Sequence, residues 1–329
     1  MRKLKIKNLI ILFLIALAFA LIINFPHISS IYMIRVLNMT MITYLAVLSL
    51  YVVFGMAGQS SFAQCGLMGI GAYITANMCT RWGFSPIFGM IMSMLGTALF
   101  AFIIGFALFR LKRFYFSFST IALMTILNGI FANWTKGTGG PVGMGNLVQF
   151  SVGGFVFDTE AKYFYLIIGF SIAASIIIWK LFRSPLGRSF MAVRDNEIAA
   201  SCMGINNLLT KNIAFAISGI LCGLAGSLFA FLSGYISATS FALPQSQLYL
   251  VVIMIGGSSS PIGALIGSIL INLLPEWLRF LKDYMMLIYG VGIMGLMVVL
   301  PEGLVGGGKD LYAKYIKRKR SRVDAEQGL

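Results

Sequence analysis

The sequence predicts an all-α polytopic membrane protein of about eight to ten transmembrane helices, broken or re-entrant segments included. Three observations carry that prediction. Of 329 residues, 59% are hydrophobic and 11% charged, with a mean hydropathy of +0.90. A soluble domain has about 45–50% apolar and about 25% charged residues. Apolar stretches long enough to cross a bilayer recur along the chain. Lys and Arg, 25 against 10 Asp plus Glu, gather in alternate connections between those stretches.

In order, the stretches are 9–25, 36–57, 62–79, 85–109, 114–133, 163–182, 212–234, 246–274 and 284–301. The first follows Arg2, Lys3, Lys5 and Lys7 and ends in Asn24-Phe25-Pro26 with no small-x-small cleavage site, so it reads as an uncleaved first span. No soluble domain interrupts the series. The expected organisation is a transmembrane domain over 1–305, a cytoplasmic loop at 183–211 within it, and a basic cytoplasmic tail at 306–329. Cys65, Cys79, Cys202 and Cys222 form no CxxC pair and read as small packing residues. With His27 the sole histidine, the chain offers no catalytic constellation, no metal-ligand set and no cofactor motif.

The net charge of +15 invites a nucleic-acid reading, and the positions of the basic residues exclude it. With the N-terminus inside and the spans alternating, Arg110, Lys112 and Arg113 fall inside, as do Lys180, Arg183, Arg188, Arg194 and Lys211. Outside fall Arg35, Arg81, Lys136 and Lys162. The basic tail, from Lys309 to Arg322, belongs inside too. Simple alternation through 246–274 as one span would put it outside. The conflict disappears if that stretch is two short segments broken at Gly256-Gly257-Ser258-Ser259-Ser260-Pro261, where Gly and Pro interrupt a helix. Residues 275–283 are then external and both termini cytoplasmic. The charge is a topology signal.

Glycines recur at packing spacings, Gly219 with Gly223 and Gly263 with Gly267, which favours close helix contact in lipid. The cluster Gly55-Met56-Ala57-Gly58-Gln59-Ser60-Ser61 combines glycines with polar side chains, at Gly58, Gln59, Ser60 and Ser61 above all. Together with Gly256, Gly257 and Ser258 it is the candidate for irregular backbone lining a translocation path. No acid occupies a span centre, which argues against proton coupling. No G-x-x-x-x-G-K-[ST] loop occurs, so ATP hydrolysis, if used, belongs to a partner and the chain is not an enzyme.

The 183–211 segment is the most informative. Asp195 or Asn196 can cap a short helix at Glu197–Met203, and Gly204 can end it. Chemistry alone leaves two readings open, a solvated connector and a docking helix for a soluble partner. Glu197-x-Ala199-Ala200-x-x-x-Gly204 resembles the EAA loop of permease subunits in ATP-binding-cassette importers, although Ile198 separates the glutamate from the alanines and no clear I-x-L-P follows. The wider text from Ser184 through Gly187 and Arg188 to Arg194-Asp195-Asn196-Glu197-Ile198-Ala199-Ala200 resembles the branched-chain amino acid permeases of the LivH/LivM family, the LivM branch best. Gly58-Gln-Ser-Ser-Phe62, Gly69-Ile-Gly-Ala-Tyr73, Thr138-Gly-Gly-Pro-Val-Gly143, Ala214-Phe-Ala-Ile-Ser-Gly219 and Pro301-Glu-Gly-Leu304 agree in order.

That resemblance implies a prokaryotic inner or plasma membrane protein that passes Leu, Ile or Val inward. Its implied partners are a LivH-like permease, two cytoplasmic ATPases and an extracytoplasmic binding protein. The residues that would couple it to the ATPases are Gly187, Arg188, Arg194, Asp195, Asn196, Glu197, Ala199, Ala200 and Gly204. A urea or short-amide importer permease shares the pattern, and an ion-coupled secondary transporter is the alternative of another class.

Overall fold

The computed structural model describes residues 30–111, 113–277, 284, 290–291, 294–295 and 303–307. The expected span at 9–25, most of that at 284–301, residues 278–283 and the tail from 308 lie outside the described residues. The remainder is a helical bundle. Helix α1 (Ile31–Leu50) continues as a π-helical turn over Tyr51–Met56, and α2 (Gln64–Ala76) continues likewise over Asn77–Arg81. There follow α3 (Pro86–Leu108), α4 (Arg113–Asn133), the short α5 (Thr135–Thr138), α6 (Glu160–Arg183), α7 (Pro185–Asp195), α8 (Glu197–Cys202), α9 (Asn207–Ser233), α10 (Leu243–Gly256) and α11 (Pro261–Trp277). A small antiparallel hairpin, β1 (Ser151–Val152) and β2 (Phe155–Val156), sits in the α5–α6 connection. Among the described residues six helices are long and apolar enough to cross a membrane, and Pro261–Glu276 is a shorter apolar one.

Local chemistry starts these helices where the chain needs them. The side chains of Ser30, Ser85, Thr159, Ser184 and Asn206 each accept a bond from the backbone N–H three residues on. Pro follows the cap at α3 and α7, where a missing N–H costs nothing. Glu160 opens α6 and Lys180 and Arg183 close it, matching the helix dipole at both ends.

Helix α9 is the axis of the bundle. It lies against α1, α2 and α3, and 78% of its spanning window is buried, as for α1, against 28% for α3, α4 and α6. The close seat depends on small residues. A Cβ on Gly226 would collide with the Met68 carbonyl, and one on Gly223 would stand 2.7 Å from the Ser93 carbonyl. Ser93 Oγ reaches the Gly71 and Gly223 carbonyls at 2.9 and 3.0 Å, joining three helices at one point. The glycine pairs read from the sequence are therefore packing devices.

Alternating helices give the bundle two ends. One gathers Tyr32 with Glu276 (2.7 Å), Arg35 with Glu160 (3.2 Å) and Arg81 with the Lys136 carbonyl. The other gathers Gly55, Arg194, Glu197, Lys211 and Ser258. The expected interruption of 246–274 is present. α10 ends at Gly256, residues 257–260 turn, and α11 runs back so closely that a Cβ on Gly256 would overlap the Gly263 carbonyl. Glu276 thereby lands at the Arg35 end.

Two expectations need correction. The 183–211 segment is not a loop with one short helix; it holds α7 and α8, and α9 begins at Asn207, ahead of the apolar run. The polar first turn of α9 hid its start, and Ser184-Pro185 supplied the unread start of α7. Cys65, Cys79 and Cys222 are buried, but Cys202 is exposed on α8.

Candidate functional site

The α6–α7 corner begins the site. Ser184 Oγ accepts from Gly187 N at 3.1 Å, and the absent side chain of Gly187 lets α7 fold back against the Leu181 carbonyl. Arg188 stays exposed and donates to the Arg183 carbonyl at 3.2 Å. Phe190 and Val193, both fully buried, fasten α7 to the bundle. Asn196 then takes an extended conformation and caps α8, its Oδ1 accepting from Ile198 N (2.9 Å) and Ala199 N (3.1 Å). Asp195 is exposed beside it. Gly204, with φ +82°, ends the unit in a backbone conformation that side chains disfavour.

Helix α8 has two contrasting faces. Inward, Ala200 is buried. Asn207 Nδ2 donates to the Glu197 carbonyl (2.7 Å) and to Ser201 Oγ (2.8 Å), and Lys211 Nζ pairs with Glu197 Oε2 at 2.7 Å. The Lys211 side chain is only 8% exposed, so its charge needs that carboxylate. Outward, Ala199 is exposed and Ile198 and Met203 stand 79% and 82% exposed. The outer face of α8 is thus apolar and exposed while its inner face is pinned.

The predicted path residues are beside this unit. Arg194 Nη1 donates to the Gly55 carbonyl at 2.7 Å, at the π-helical end of α1. Its aliphatic stem occupies the space a side chain on Gly58 (φ +69°) would need, 2.6 Å from the would-be Cβ. A Cβ on Gly55 would in turn stand 2.7 Å from the Ser258 carbonyl. Arg194 thus joins α7 to Gly55 and Gly58, and Gly55 in turn lies against the 256–258 turn. Sequence reading set these segments down as separate groups and missed Asn207 and the pairing role of Lys211.

From Gly58 the chain climbs without helix to mid-bundle, where α2 starts beside the middle of α9. Gln64 Nε2 donates to Ser218 Oγ at 3.3 Å. Helix α10 starts nearby, since Cys65 N donates to Ser246 Oγ at 3.1 Å. Ser60 accepts at its carbonyl from Ser117 Oγ (2.9 Å). Gln59 and Ser61 are 1% exposed. Gln59 Nε2 and Gln64 Oε1 are buried without a partner among the described residues. Two helices that start at mid-depth therefore frame a seam of Ser, Gln and Cys. Its sequence signal was polar residues inside apolar stretches, at Ser49, Gln64, Ser218 and Ser246.

Comparison with known proteins identifies relatives of the whole chain. Residues 32–300 match the family model of the branched-chain amino acid transport system permease component. The high-affinity branched-chain amino acid transport system permease protein LivM of Escherichia coli K12 is 31% identical over 323 residues, 89% of this chain and 74% of that one. LivM of Salmonella typhimurium is 30% identical, covering 96% and 79%. The autoinducer 2 import system permease protein LsrC of Salmonella paratyphi B is 28% identical over 172 residues, half of this chain. No solved structure matches.

Proposed function

The chain belongs to the branched-chain amino acid transport permease family, and from that membership we propose that it translocates Leu, Ile or Val inward as one permease of an ATP-binding-cassette importer. An extracytoplasmic binding protein delivers the solute, a LivH-like permease completes the pathway, and one of two cytoplasmic ATPases docks on α8. The observation that carries this reading is the contact of Arg194 with Gly55, Gly58 and, through Gly55, the turn at Ser258. A docking surface linked by one side chain to two interrupted helices can convert a push on α8 into movement of the path. A second link runs through Asn207 and Lys211 into α9.

Each residue has a role in this scheme. Ile198 and Met203 meet the ATPase, while Asn196, Glu197, Ala200 and Gly204 hold α8 rigid. Gly187 and Arg188 form the elbow, and Arg194 transmits. The unpaired amide atoms of Gln59 and Gln64 offer a donor and an acceptor to the two ends of a zwitterion without an opposing charge, so the solute passes without tight binding. Selectivity then rests with the binding protein, and a urea or short-amide cargo is separated from a branched-chain one by that protein's ligand affinity.

The test is uptake of labelled leucine by cells whose native importer is deleted. Ile198→Glu with Met203→Glu, or Glu197→Lys alone, is expected to abolish uptake and ATPase co-purification while the permease still reaches the membrane. Wild-type uptake in both variants would sink the coupling role. Uptake that survives deletion of the partner ATPase would instead establish ion coupling.

A further inference from the structure

Between α2, α3 and α4, at the Arg81 end of the bundle, lies a cleft of about 580 Å³. Its wall is apolar, built from Ile70, Ile74, Phe100, Leu127 and Ile130. Its mouth is cationic. Arg81 and Lys136 line it, side by side because the guanidinium of Arg81 donates to the Lys136 carbonyl. Among the described residues no carboxylate pairs with either. Trp82 and Trp134 flank the mouth and are 63% and 58% exposed.

We infer that this cleft seats an anionic phospholipid, with one acyl chain along Ile74 and Ile130 and the phosphate on Arg81 and Lys136. Depth supports it. Arg81 ends α2 and Lys136 follows α4, so both cations stand at the end of the spans. Exposed Trp at that level marks the headgroup layer of a bilayer. Shape supports it as well. An α-helix about 10 Å across would fill the cleft in about one and a half turns, so a span of a second permease has no room, whereas an acyl chain is slim and flexible. Charge disfavours the transported solute, because a zwitterion would bring an ammonium along with its carboxylate to two cations that meet no carboxylate among the described residues. A phosphate brings only the complementary sign, and Arg presents it with a fork of donors.

The test is native mass spectrometry of the full chain, delipidated in mild detergent and titrated with phosphatidylglycerol or phosphatidylcholine carrying identical acyl chains. Two cations predict a preference for phosphatidylglycerol on the order of tenfold. Arg81→Gln with Lys136→Gln is expected to abolish the preference, and the exchange Arg81→Lys with Lys136→Arg to keep it. Ile74→Trp, which fills the cleft, is expected to lower retention of both lipids. The proposal is overturned by equal retention of the two lipids in the wild type, by a preference that survives the double glutamine variant, or by unchanged retention in Ile74→Trp. A photo-crosslinker at Ile74 that captures a second permease chain in place of lipid would overturn it too.

Discussion

At the end of the bundle that carries α7 and α8, two charges, Lys211 and Arg194, are tied into the fold, whereas at the opposite end the paired charges lie on its surface. Lys211 is almost wholly buried and meets Glu197, and Arg194 reaches a backbone carbonyl at the end of another helix. Across the bundle, Lys162 and Asp158 pair while 36% and 53% exposed, and Arg35 meets Glu160 while half exposed. Surface pairs are worth little, while a buried charge stripped of its partner is costly. A push at the first end would therefore meet charges tied into the fold, while the second end presents solvated pairs. Helix α9 joins them, running from Asn207 at the first end to Ser233 at the second.

The comparison breaks most completely if that rod loses its seat. Gly226→Ala puts a methyl group against the Met68 carbonyl, and backbone on both sides leaves no room to yield. The expected cost is about 3 kcal/mol, read as a lower melting temperature in detergent and loss of uptake. Gly129→Ala is the control, since a Cβ there meets nothing within 4 Å. It is expected to be neutral or slightly stabilising, as Ala for Gly in a helix favours the fold by about 0.5–1 kcal/mol. Equal melting of the two variants would remove α9 from the role of connector.

A smaller and more selective effect is expected at Arg194. Arg194→Ala removes a charge-assisted bond to Gly55, worth about 1.5–3 kcal/mol, while Phe190 and Val193 still hold α7. Leucine uptake is expected to fall at least tenfold with ATPase co-purification intact, because the Ile198 and Met203 surface is untouched. Arg194→Lys should fall between the two, reaching the carbonyl as a point charge without the fork. Loss of ATPase binding in Arg194→Ala would merge docking with transmission and dissolve the distinction between α8 and Arg194.

Much of this was legible in the sequence, and what was missed has a physical pattern. Apolar runs located the spans because lipid demands them. The break at 256–261 was read twice, from Gly-Pro chemistry and from the placement of basic residues. The start of α8 was read to Asp195 or Asn196 and its end to Gly204 from cap chemistry, which is local. The convergence of Arg194 on Gly55 and Gly58 was not readable, because the contact joins residues 139 apart in the chain and no local rule specifies it. Residues 57–63 rising without helix to mid-bundle was likewise hidden. The polar residues at 59–61 marked irregular backbone but not its depth.

The smallest effect is expected at the surface end, and it tests whether pairing there matters at all. The Lys162 ammonium donates to Asp158 Oδ1 at 2.6 Å and holds that carboxyl below the usual carboxylate range. A depressed acid contributes above its unfolded pKa, about 3.9, and loses that contribution only as pH falls through the lower folded value. At pH 7 the contribution is fully present, yet the carboxylate is solvated and screened. Asp158→Asn is therefore expected to leave melting and uptake indistinguishable from wild type at pH 7. Lys162 does more than pair: it also donates to the Val156 carbonyl at 3.3 Å and lies 5.0 Å over the Phe155 ring. Lys162→Ala is therefore expected to speed hydrogen exchange in the 151–156 hairpin, where Asp158→Asn does not. If Asp158→Asn alone loosened the hairpin, the ion pair would be structural, and the contrast between the two ends would fail at the place where it is easiest to measure.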